Sequence, residues 1–102
     1  MKHLTLVVHT DIQQDLVDCL RNMAGVSGFT FSHVEGHGVK AESDPYLAAR
    51  DETIGVKPQL RVDILLEEAS LDSVLDALRD TLSNIADEGV YWVAAAEQFG
   101  RL

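Results

Sequence analysis

Val26-Ser27-Gly28-Phe29-Thr30-Phe31-Ser32-His33-Val34-Glu35-Gly36-His37-Gly38 is the stretch on which the fold turns. Its centre, Phe29 to Val34, is aromatic and β-branched, the composition of a strand that ends at Gly36-His37-Gly38. Upstream, Leu4, Leu6 and Val8 alternate with His3, Thr5, Val7 and His9, which predicts a half-buried strand over residues 3 to 9. Between these strands Thr10 and Gln13 have the spacing of a capping box. Ile12, Leu16, Leu20 and Met23 then recur at helical intervals to about Met23, and Gly25 and Gly28 punctuate the exit. Downstream, periodicity is lost over residues 39 to 56, a long loop containing Ala41-Glu42-Ser43-Asp44-Pro45 and Gly55. Loops beyond about 12–15 residues in an economical domain are usually functional or disordered.

Past that loop, Leu60, Val62, Ile64 and Leu66 alternate with Arg61 and Asp63 in a third strand. Ser70 is placed to cap a helix whose apolar stripe is Leu71, Val74, Leu75, Leu78 and Leu82. After a break over residues 84 to 89, Val90-Tyr91-Trp92-Val93-Ala94-Ala95-Ala96 supplies a fourth strand. The class is therefore α+β, a ferredoxin-like βαββαβ sandwich with its long loop between the second and third strands. Two helices cover only one face of a four-stranded sheet. Leu4, Leu6 and Val8 are expected to meet them, leaving His3, Thr5, Val7, His9, Leu65 and either Trp92 or Val93 on the open side. Apolar surface of that kind implies self-association.

A chain of 102 residues, 46% of them hydrophobic, fills one core and no more, so residues 1–102 are read as a single domain. Eight basic residues against seventeen acidic ones give a formal charge of −9, which repels phosphate backbones and argues against nucleic acid as a partner. The apolar run at Leu4–Val8 is too short for a signal peptide. No stretch approaches the roughly 20 apolar residues that cross a bilayer, so the expected location is cytoplasmic. The single Cys19 forms no internal disulfide and, beside the helix stripe, is read as a small hydrophobe.

The stretch quoted first resembles the second-strand signature of PII signal proteins. The loop falls where those proteins carry their T-loop, Lys57-Pro58-Gln59-Leu60-Arg61-Val62-Asp63-Ile64 resembles the strand that follows it, and Phe99-Gly100-Arg101-Leu102 falls in register with their C-terminal end. The resemblance implies a homotrimer with small-ligand clefts between subunits. It places Gly36, His37, Gly38, Lys40, Gly89 and Arg101 in the ligand site, and a nucleotide is one ligand it implies. The sequence departs from the PII pattern where ATP phosphates would be neutralised: Val39 and Lys40 follow Gly38, and Ile85-Ala86-Asp87-Glu88-Gly89-Val90 has two acids and no lysine. Of a C-terminal arginine pair only Arg101 is present, and Glu52 stands where PII proteins have a modified tyrosine. The chain looks closer to PII-like proteins of bacteria encoded beside heavy-metal efflux systems. That likeness implies a metal-tolerance role and peripheral contact with a membrane transporter.

Two functional readings follow. In the first, the protein is a regulator or sensor that binds a small ligand between subunits and signals through residues 39–56, with Tyr46 and Leu47 at the loop tip docking a partner protein. In the second, it is a metal-binding module. His33, Glu35 and His37 alternate and would project from one strand face, and imidazoles with a carboxylate suit a divalent transition metal. The bland alternative leaves His33 packed beside Phe31, with Glu35 and His37 solvated. Asp72, Asp76 and Asp80, with Asp11, Asp15 and Asp18, read as solvated helix faces. No nucleophile elbow, phosphate loop or H-E-x-x-H motif is present, so no enzymatic activity is expected.

Overall fold

The computed structural model describes residues 1–37, 57–83 and 89–102. Strand β1 spans Lys2–His9, helix α1 Gln13–Arg21, strand β2 Val26–Gly36, strand β3 Lys57–Leu66, helix α2 Leu71–Leu82 and strand β4 Val90–Ala95. The sheet order is β2-β3-β1-β4, with every neighbouring pair antiparallel. Four antiparallel strands with two helices, in this order, are compatible with a ferredoxin-like fold. Residues 39 to 56, expected to form a long loop with Lys40, Tyr46 and Leu47, lie outside the described residues, as does Gly38.

The period-2 and helical patterns converge on one core. Leu4, Leu6 and Val8 of β1 and Leu60, Val62, Ile64 and Leu66 of β3 are buried against Ile12, Leu16, Leu20, Val74 and Leu78. Each such side chain contributes about 1.5–3 kcal/mol of burial. Phe29 and Phe31 of β2 pack at the edge of this cluster, their rings meeting edge to face with centroids 5.7 Å apart.

Helix entry differs from the expected capping box. Thr10 belongs to a 3-10 turn, Thr10–Ile12, and has no role as a cap. The extended residue before the turn is His9, and its Nδ1 accepts from the Asp11 backbone N–H at 3.2 Å. Ser70 likewise closes a 3-10 turn, Glu68–Ser70, with αR backbone angles, so its hydroxyl does not cap α2. In both places the turn is tightened before the helix begins, which leaves the expected cap residue already inside helical geometry.

Gly25 decides how α1 hands over to β2. Its φ is +86°, and a Cβ there would stand 1.9 Å from the Ser70 hydroxyl oxygen. Its carbonyl accepts from the Glu67 backbone N–H at 3.0 Å, tying this turn to the β3–α2 corner. Strand β3 begins earlier than its apolar alternation suggests, at Lys57-Pro58. Pro58 is tolerated because β1 pairs no further than His9↔Gln59, so beyond that point β3 has only β2 beside it.

Candidate functional site

The strand registers assemble the face that the helices leave uncovered. Thr30, Asp63, Thr5 and Trp92 lie in one row across the sheet, Ser32, Arg61, Val7 and Val90 in the next, and Gly28, Leu65, His3 and Ala94 in a third. The open-side residue of β4 is thus Trp92, whereas Val93 lies opposite Leu4 on the helix side. All six residues of β4 are exposed. Val90, Tyr91, Trp92 and Val93 retain 55%, 48%, 46% and 38% of their accessible area, an unusual apolar content for a strand paired on one edge only.

At the centre of this face sits a polar network that extends the sequence reading. His3 Nε2 lies 2.8 Å from Asp63 Oδ1, and Arg61 donates to the same carboxylate through Nε, 3.1 Å from Oδ2, and Nη2, 3.2 Å from Oδ1. Thr5 Oγ1 lies 3.2 Å from His3 Nε2 and donates to Asp63 Oδ1 over 3.4 Å. The Arg61 guanidinium stands 5.8 Å from the Trp92 ring centroid. Thr5 is fully buried on a face that no described helix covers, because its neighbours in register are Asp63 and Trp92. Partial burial pushes the Asp63 pKa upward, but the bonds from Arg61 and His3 and the charges of those two side chains outweigh it, so the carboxyl is held below its ordinary value.

An ionised carboxylate only accepts, so the His3 Nε2 that meets it bears a hydrogen. Both Thr5 and Asp63 engage that one nitrogen. In a nucleophile–base–acid relay the two partners sit instead on opposite ring nitrogens. The network is a hydrogen-bonded patch in which the Arg61 guanidinium and the Asp63 carboxylate pair.

Sequence alternation already puts Arg61 and Asp63 on the face of Leu65, and His3 and Thr5 on that of Val7. The missing signal was the cross-strand register, Thr5↔Asp63 and Val7↔Arg61, which joins the two sets.

The expected ligand residues are partly brought together. Gly36 closes β2 beside the Gln59 side chain, His37 follows it, and Gly89 lies against Val8, so all three occupy the same end of the sheet. Arg101 does not join them through its strand, since β4 runs away from that end to Ala95↔Lys2 before the tail begins. His33 and Glu35 pair with Leu60 and Pro58, the side of Phe29 and Phe31, and both are exposed, as is His37. Among the described residues no group of three or more His, Cys, Asp or Glu side chains is placed to hold a metal ion. The helix carboxylates Asp15, Asp18 and Asp80 line an open cleft beside Cys19. No described helix is long and apolar enough to cross a membrane.

The family described as "Protein of unknown function (DUF3240)" matches residues 1–102. The crystal structure of a DUF3240 family protein from Shewanella baltica OS155 superposes with a TM-score of 0.78 at 23% identity, over 99% of this chain and 94% of that one, a likeness of fold.

Proposed function

The chain belongs to the DUF3240 family along its whole length, and on that footing we propose that it is a homo-oligomeric, non-catalytic regulator or sensor. A small ligand would bind between subunits at the sheet end bearing Gly36, His37 and Gly89, and residues 39–56 would carry the signal. The observation that carries this reading is the uncovered sheet face together with β4, whose apolar residues lack the charges, proline or bulge that protect a free edge. A second copy laid on this surface would cover Val90 and Trp92. Three-fold assembly is the arrangement the PII-like resemblance implies, and it would let Arg101 of one copy reach the ligand residues of another.

Sedimentation equilibrium tests the assembly: the wild-type chain is expected to be oligomeric and Trp92→Lys monomeric with an unchanged far-UV spectrum. A monomeric wild type at high concentration would sink the proposal. Thermal shifts with adenine nucleotides and with divalent transition metals then separate ligand classes, because native-state binding raises apparent stability by RT ln(1 + [L]/Kd).

A further inference from the structure

Two helices over four strands leave the edge strand short of cover on the helix side as well. Tyr91 and Val93 of β4 lie opposite Leu6 and Leu4, on the face turned to the helices, yet they keep 48% and 38% of their accessible area. Between α2 and this edge is a cavity of about 270 Å³. Leu6 and Val8 of β1, Leu75, Leu78 and Leu82 of α2, and Tyr91 of β4 line it. Arg79 is the one charged side chain among the described residues of the lining. Its Nη2 donates to the Tyr91 phenolic oxygen at 3.2 Å, and its guanidinium carbon stands 5.8 Å from the Tyr91 ring centroid. The cation is thus held beside the ring at the exposed mouth of the cavity. Tyr91 accepts in that bond, which leaves its own O–H to donate.

We propose that this cavity binds a small apolar monocarboxylate, such as a medium-chain fatty acid or a small aryl acid. Its tail lies among the leucines and its carboxylate on Arg79 and Tyr91. The site is contained in one protomer and does not depend on the assembly proposed above. The volume falls just below the roughly 300–1,000 Å³ of drug-sized sites, which sets the ligand small. An apolar lining with polar groups at one end fixes the orientation, tail inward and head at the rim. A guanidinium and a phenol O–H are both donors, so the head is an acceptor, and the positive charge selects an anion over an alcohol of the same length. Asp76, the present partner of Arg79, stands 3.5 Å away with both side chains mostly exposed. Surface pairs of that kind contribute little, so the guanidinium is free to turn to a carboxylate sheltered by the cavity.

The test is isothermal titration calorimetry with octanoate and with 1-octanol, at fixed ionic strength. Beside the wild type it uses Arg79→Met, which keeps the stem and drops the charge, and Leu75→Trp, which fills the cavity. Octanoate is expected to bind once per protomer, at least about tenfold more tightly than octanol. Arg79→Met is expected to erase that preference by weakening octanoate alone, and Leu75→Trp to abolish binding of both. No saturable octanoate binding by the wild type overturns the site. Equal affinity for octanoate and octanol, or an unaltered preference in Arg79→Met, overturns the anion. Undiminished octanoate binding by a folded Leu75→Trp places the ligand elsewhere and rejects the cavity. If Leu75→Trp fails to fold, intermolecular NOEs on the wild type decide: contacts from the octanoate chain to the Leu78 and Leu82 methyl groups support the cavity, and contacts to other residues alone reject it. Occupancy is read per protomer, so a monomer that binds octanoate rejects the oligomer alone, and an oligomer that does not bind it rejects this site alone.

Discussion

Two glycines with close neighbours, Gly25 and Gly36, separate backbone need from side-chain crowding. Gly25 combines φ +86° with the Ser70 hydroxyl where its Cβ would be, so Gly25→Ala is expected to cost on the order of 1–3 kcal/mol in urea denaturation. At Gly36 the obstruction is the Gln59 side-chain amide, which can swing aside, so Gly36→Ala should cost less than about 1 kcal/mol. Asp63 makes a prediction in pH. Its folded-state pKa is lowered, so its carboxylate contributes stability above the ordinary carboxylate range, and that contribution is lost as pH falls through the folded value. The wild type should therefore lose more stability than Asp63→Asn on acidification from about pH 5 to about pH 2.5, measured by thermal unfolding. Equal losses would show that the Arg61 and His3 bonds contribute nothing net.

At the element scale, helical spacing read the core correctly: Ile12, Leu16, Leu20, Val74 and Leu78 are all buried, with Met23, Leu71, Leu75 and Leu82 packed around them. Leu16→Ala and Leu78→Ala, one on each helix, are each expected to destabilise by about 2–5 kcal/mol. Asp76, paired with Arg79 at 3.5 Å on an exposed turn, should change stability by less than about 0.5 kcal/mol when replaced by alanine. Element type was legible in the sequence and element ends were not. Residue type alone points to caps at Thr10 and Ser70, but each sits in a 3-10 turn whose existence depends on how the preceding strand leaves the sheet. Strand β2 runs past its aromatic centre to both Val26 and Gly36 because β3 offers pairing partners there, through a bulge near Gly28.

At the scale of the molecule, one sheet face and one edge carry the functional reading, and assembly should make apparent stability depend on concentration. A melting temperature that rises with protein concentration in the wild type and stays constant in Trp92→Lys is the expected pattern. The order βαββαβ, the face of β1 and β3 turned to the helices, and an open face that includes His3, Thr5, Val7 and Leu65 are all written in the residue pattern. Those follow from periodicities of two and near 3.6, which are local properties of the chain. It takes the folded sheet to show that Trp92 rather than Val93 joins the open face, that Gly36, His37 and Gly89 share one end of the sheet, and that His3, Thr5, Arg61 and Asp63 form one network. Register is set between strands distant in sequence, and a slip of one residue moves every side chain to the other face, so no single strand contains that information.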